Sequence, residues 1–322
     1  MITSTSNDEF LAAAVGVLGT EDAAVALDAL TWWDLLPELD DDEAASAVVA
    51  ASRAQGRALS DTPVLGGLLA HPFVSVIGPD AAGAVAAIAR RSPGRGELWV
   101  LTGDTGDRPI LFDVPGEGVY LVDADSIERR VVGLPGRLTV AEVVVDLDAR
   151  TPDLAEELAA PLRARSRFLG RIGASAEILG AAEQVVELAV EYAGMREQFG
   201  RPIGTFQALR HILSWASTDC VAIDASVRRA LELRSDPPAQ FDAVVKALAG
   251  RNGRRACDRA LQAFGGIGFT AEHVHHHFHS RVLVLDSLLG SSAELVHELG
   301  AWLRTSGDDP AYPAAVLAAG TR

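Results

Sequence analysis

The sequence predicts a multidomain protein of mixed α and β structure. An N-terminal helical domain (residues 1–70) precedes a small, reduced antiparallel β domain (71–150), then a C-terminal four-helix bundle (151–305) and a loose tail (306–322). Three observations predict this. Apolar residues recur at helical spacing before residue 60 and again after 154. Between them lie short β-rich runs separated by Pro, Gly and Asp. No run of about 18 uncharged apolar residues occurs anywhere, which excludes a transmembrane helix.

Residues 7–60 read as helices. EDAAVALDALTWWDLL carries the helical repeat, and DDDEAASAVVAASRAQGRAL opens on acidic residues suited to a helix N-terminus. Pro37 separates the two, and the Asp61-Thr62-Pro63 turn ends the second. The predicted strands, from residue 72 on, are FVSVIG, ELWVLTG, PILFDV, GVYLVDA, RRVVGL and AEVVVDL. The first bundle helix, over 166–195, sets Phe168, Ile172, Ala176, Leu179, Val186 and Val190 on one face. The second has the clearest pattern, a heptad seam running from Phe206 through Leu213, Cys220 and Val227 to Ala230, and Pro237-Pro238 stops it. A third helix covers 239–263, and a fourth covers 281–304 with Leu285, Leu288, Leu295, Leu299 and Trp302 inward. Short connections between long helices make an up-down bundle.

Composition narrows the function. A net charge of −16 argues against nucleic acid or an anionic membrane as partner, because both repel an acidic surface. Much of it is local: residues 1–61 carry 12 Asp and Glu against Arg53 and Arg57 alone, a net −10. That face is a solubilising surface or a docking surface for a basic partner. The start, MITSTSNDEF, is acidic and lacks an apolar core segment, so no secretory signal is visible. Only Cys220 and Cys257 occur, without a CxxC or Cys/His neighbour, which fits small core residues in a reducing, cytoplasmic compartment.

Two segments do not fit a plain bundle. REQFGRPIGTFQ, at 196–207, puts arginines, glycines and a proline where a helical hairpin needs about two to five polar residues. QAFGGIGFT, at 262–270, is a glycine-rich turn after a helix. Glycines let backbone N–H groups approach phosphate oxygens, and a nearby arginine neutralises them. The pattern is not GxGxxG and follows no strand, so the dinucleotide-binding fingerprint fails. On spacing alone, phosphate binding and tight helix-turn packing both remain open.

YAGMREQFGRPIGTFQALRH (192–211) and QAFGGIGFTAEH (262–273) resemble the two signature segments of the acyl-CoA dehydrogenase family. The likeness covers roughly 165–304, and the helical, β, four-helix order matches the family's three domains. The N-terminal half, through DALTWWDLLPELDDDEAASAVVAASRAQGRALSDTPV, resembles divergent actinobacterial-type members. The resemblance implies FAD. In the family these segments hold the ADP half of a cofactor whose flavin sits in the neighbouring subunit. Carried over, the cofactor-binding positions are Arg196, Gln198, Phe199, Gln262, Gly265 and Gly266, with Gln207 as a further interface position.

Two departures stand beside these matches. The family's reaction removes an α-proton as hydride leaves the β-carbon, so a carboxylate base must stand near Cα. Most members place it in a segment that here reads Leu288-Leu289-Gly290-Ser291, with Leu289 at the base position. A minority place it just before an arginine matching Arg171, and that residue is Gly170. Asp286, one helical turn before Leu289, is the candidate substitute. The second departure is the lack of the family's flavin-facing segments in the β domain. Trp99-Val100-Leu101-Thr102 comes nearest, with the wrong spacing.

The chain is thus expected to serve a partner's FAD rather than its own. It would be a subunit of a heteromeric acyl-CoA dehydrogenase, paired with a full-length paralogue as an α2β2 heterotetramer and inactive alone. A steroid side-chain CoA thioester is a fitting substrate class. The alternatives are a homomeric dehydrogenase with an unconventional base and a non-enzymatic helical binding protein that has lost flavin. Five of eight histidines fall at 273–279, yet no Cys or second His group completes a tetrahedral zinc site. They are expected to be packing residues, with no metal bound.

Overall fold

The computed structural model describes residues 4–19, 23–92, 96–132, 136–147 and 150–305; the expected loose tail lies outside them. The N-terminal part forms helices α1 (Ser4–Leu18), α2 (Ala23–Ala29), α3 (Trp32–Leu35), α4 (Asp42–Ala58) and α5 (Val64–Ile77). Helix α4 begins where its acidic cluster predicts. The Asp41 carboxylate accepts the N–H groups of Glu43 and Ala44 at 2.9 and 3.0 Å.

Helix α5 corrects the sequence reading. FVSVIG was expected to be a strand, yet it completes this helix despite Pro72. Leu65, Leu68, Leu69 and Phe73 are buried at helical spacing, and that packing outweighs the β propensity of a Val/Ile run and the lost proline hydrogen bond.

The β region holds β1 (Val85–Ala86), β2 (Ile88–Ser92), β3 (Gly96–Thr102), β4 (Ile110–Val114), β5 (Gly118–Val122), β6 (Glu128–Val132), β7 (Val140–Val144) and β8 (Leu154–Ala155). The five remaining predicted runs become β3 to β7. They form two sheets, β1-β4-β5-β8 and β2-β3-β7-β6, antiparallel except for a short parallel β1–β4 pairing. Leu101 and Val143 from one sheet meet Ile110, Phe112 and Tyr120 from the other, so the sheets close over a small core of their own.

The C-terminal part holds α6 (Glu156–Met195), the hairpin β9 (Glu197–Gln198) and β10 (Arg201–Pro202), α7 (Gln207–Glu232), α8 (Phe241–Phe264), α9 (His275–Ser287) and α10 (Ser292–Thr305). Helix α6 starts earlier than the expected 166 and is the central pillar, buried on most sides between α4, α5, α7, α8 and α9. It meets α4 backbone to backbone. A Cβ at Gly56 would overlap the Glu177 carbonyl, and one at Gly180 would overlap the Arg53 carbonyl. The α7 seam is buried from Leu213 to Ala230 as its spacing requires. Val190, expected inward, is instead exposed.

The expected fourth helix is two helices. The chain breaks at Leu288–Ser291, where Leu289 (φ 58°) and Gly290 (φ 95°) take left-handed backbone. Buried Arg281, on α9, ties the parts of the molecule together. It donates to Glu177 at 2.6 Å and to the carbonyls of Ser60, Gly136 and Arg137.

Candidate functional site

The two positions where the resemblance puts a catalytic base come together in space. Gly170 lies on α6 and Leu289 at the α9–α10 break. A Cβ built on Gly170 would stand 3.0 Å from Leu289 Cδ1, 2.9 Å from Leu69 Cγ and closer still to Leu69 Cδ2. One turn along, a Cβ on Gly173 would overlap Leu68 Cδ1. Two leucines of α5 thus fill notches that glycines leave in α6, and a third closes the corner. Hydrocarbon from Leu69 and Leu289 fills the corner beside Gly170, between the two positions that the resemblance gives to a base.

The junction is fixed by charged groups turned inward. Arg171 Nε donates to the Leu289 carbonyl at 3.0 Å, and its Nη1 binds Asp242 at 2.9 Å. Lys246, fully buried, donates to the carbonyls of Asp286 and Gly290 at 3.1 and 3.3 Å. Burial pulls its ammonium down to about 8, against the pull of Asp286.

Asp286, the candidate substitute base, is committed to the same junction. Its oxygens accept the Ser292 N–H at 3.0 Å and the Ser292 hydroxyl at 3.1 Å, capping α10. Lys246 and Arg254 lie 4.0 and 3.9 Å from the carboxylate. The sequence reading named Gly170 and Leu289 but not the leucines of α5 that meet them. The available signal was Gly170 and Gly173, three apart on a helix, which marks a close-packed face.

The second cluster lies at one end of the bundle. Tyr192 of α6 packs edge-on against Phe264 at the end of α8, with centroids 5.6 Å apart. This brings the turn after α6 near the glycine segment after α8. The Arg196 backbone is pinned on both sides. Its N–H donates to the Tyr192 carbonyl, and its carbonyl accepts the Ile203 N–H, both at 2.8 Å.

The Arg196 side chain is exposed, and no described residue pairs with its guanidinium. Gln198 donates to the Glu197 carbonyl at 2.6 Å. Phe199 and Gly200 form the hairpin tip with φ of 55° and 77°, a strained setting for phenylalanine that leaves its ring 93% exposed. Gln207 and Gln262 are also exposed. Gly265 turns the chain out of α8 at φ 63°, and a Cβ on Gly265 or Gly266 would meet nothing within 4 Å.

This end therefore presents an exposed arginine, three amide side chains and an unobstructed glycine backbone. That combination suits an anionic group such as a pyrophosphate. Met195 (75% exposed) and Phe269 (77%) flank it as apolar contacts.

Trp99 packs edge-on against Phe112 at 5.2 Å, and Thr102 is buried. Among the described residues no group of three or more His, Cys, Asp or Glu is placed to hold a metal ion. No described helix is long and apolar enough to cross a membrane.

Comparison with known proteins identifies relatives of the chain. Residues 166–303 match the model of the family described as acyl-CoA dehydrogenase, C-terminal domain. The chain is 30% identical over 254 residues to acyl-CoA dehydrogenase IpdE2 of Mycobacterium tuberculosis, covering 76% of this chain and 73% of that one. Its fold resembles a chain of the ChsE4–ChsE5 complex from Mycobacterium tuberculosis (TM-score 0.74, 20% identity, 95% and 99% covered). It also resembles a chain of the Tcur3481–Tcur3483 steroid ACAD (TM-score 0.73, 19% identity, 94% and 98% covered).

Proposed function

The chain belongs to the acyl-CoA dehydrogenase family. We propose that it is the base-lacking subunit of a heteromeric, FAD-dependent acyl-CoA dehydrogenase. It supports the ADP half of a partner's FAD and performs no α-proton abstraction of its own. The observation that carries this is the corner where Gly170, Leu289 and Leu69 meet: both base positions are apolar and the space between them is filled.

FAD, when bound in the complex, supplies the acceptor for the hydride that leaves the substrate's β-carbon. This chain's contribution is positional. Arg196 neutralises pyrophosphate charge, Gly265 and Gly266 let backbone amides come close, and Gln198, Gln207 and Gln262 orient the adenosine side. Phe199 and Met195 seal the contact against water. The carboxylate base and the flavin-facing strands come from a full-length paralogue, in a two-plus-two assembly. The ChsE4–ChsE5 and Tcur3481–Tcur3483 likenesses support pairing with an unlike chain, and the latter supports a steroid-bearing CoA thioester as substrate class.

The homomeric alternative needs another base, and Asp286 is held by Ser292, Lys246 and Arg254. The open, arginine-bearing end of the bundle speaks against a chain that has lost flavin altogether.

The test is Arg196→Ala in the complex. Charge-assisted contacts to phosphate contribute about 1.5–3 kcal/mol each, so FAD binding should weaken roughly 10–100-fold although the flavin ring lies on the other chain. Unchanged flavin retention would overturn the assignment.

A further inference from the structure

The glycine segment of the half-site leads directly into a run of histidines through a ladder of turns. The Thr270 N–H donates to the Ile267 carbonyl at 3.0 Å, and the His273 N–H donates to the Thr270 carbonyl at 3.3 Å. His273 then does two things. Its ring lies on Phe264, with centroids 4.2 Å apart, and Phe264 is the residue that joins Tyr192 to the glycine turn. Its Nδ1 accepts the His275 N–H at 3.1 Å, which caps the first residue of α9.

That acceptor role requires Nδ1 to carry no proton. The neighbouring imidazoles differ. His275 Nε2 faces the Cys257 carbonyl at 2.9 Å and His276 Nδ1 faces the His273 carbonyl at 2.7 Å, so both act as donors in either protonation state. His277 Nδ1 is buried without a described partner, and Arg137 from the β6–β7 connection bears on that ring. From α8, Asp258 stands 3.7 Å from His279, and exposed Glu272 immediately precedes His273. The run His273–His279 occupies the positive end of α9, where added cations are unfavourable. Burial holds His273, His275 and His277 below the usual histidine range.

We propose that His273 makes the half-site pH-sensitive. Its protonation removes the cap on α9, loosens the His273–Phe264–Tyr192 stack and frees the Gly265–Gly266 turn that follows Phe264. The structural change stands on this chain alone; its consequence for flavin rests on the half-site reading above.

The test is hydrogen exchange of the full chain at pH 7.5 and 5.5, corrected for intrinsic rates, with His273→Asn beside the wild type. Asparagine keeps a cap acceptor but does not titrate. Losing a cap and gaining a cation at the helix end should accelerate exchange across 264–279 on the order of tenfold at pH 5.5, with the α6 amides unchanged. His273→Asn should abolish the difference. Equal protection at both pH values, an acceleration that persists in His273→Asn, or one shared by the whole chain would overturn the proposal. A second arm measures flavin retained by the complex at pH 5.5, which should fall in wild type and hold in His273→Asn. If exchange responds as stated while flavin ignores Arg196→Ala, the switch stands and the half-site reading fails.

Discussion

Gly170→Ala measures directly whether the corner is filled. In an open stretch of helix, replacing glycine by alanine stabilises by about 1 kcal/mol, through helix propensity and reduced freedom of the unfolded chain. Gly194, on the same helix, is such a position: a Cβ there meets nothing within 4 Å. At Gly170 the added carbon meets Leu69 Cγ at 2.9 Å and Leu289 Cδ1 at 3.0 Å, and Leu69 is itself buried. Overpacking of this kind costs about 1–3 kcal/mol, which offsets or exceeds the propensity gain.

Gly170→Ala should therefore be less stable than Gly194→Ala by about 1–3 kcal/mol, measured as the urea midpoint followed by circular dichroism. In a Leu69→Ala background, which alone costs about 2–5 kcal/mol, the penalty at Gly170 should vanish, because the new methyl enters space that Leu69 gave up. If Gly170→Ala matches Gly194→Ala in the Leu69 chain, the corner is open and the account of a closed site fails.

Three further outcomes follow. Asp286→Asn should lower stability by about 1–3 kcal/mol through the weakened α10 cap and the unbalanced Lys246, and should leave turnover of the complex unchanged; abolished turnover would make Asp286 a base after all. Lys246 titrates at about 8 when folded against 10.5 in its ordinary state, so the folded chain binds fewer protons between those values. Its contribution to stability is therefore flat below pH 8 and rises towards 10.5; denaturation midpoints should show a rising component that Lys246→Met lacks, and parallel curves would contradict it. Gly266→Val should fold normally, since the site is open, yet reduce FAD retention as Arg196→Ala does.

Much of the fold was legible because its signals are local. The α7 seam, the acidic start of α4 and five β runs carry their periodicity within a few residues. FVSVIG misled because a Val/Ile/Phe run between Pro and Gly reads as a strand, while the reason it is helical, Leu68 and Leu69 entering the Gly173 and Gly170 notches, lies about a hundred residues away. The apolar pattern of 281–304 continues across Leu288–Ser291, so only the left-handed backbone and the Asp286 cap reveal two helices. At the site, the base and cofactor positions came from resemblance. That two of them meet, and that Leu69 packs into the same corner, came only from the packing.

The central claim is that this chain serves a neighbour's cofactor and keeps no active site of its own. The most direct measurement is the flavin count, by absorbance after gel filtration, of the chain co-expressed with a full-length paralogue. A two-plus-two complex should hold two FAD molecules, and the chain purified alone should hold none. Four FAD molecules per complex, or a flavin-loaded single chain that oxidises an acyl-CoA, would contradict it.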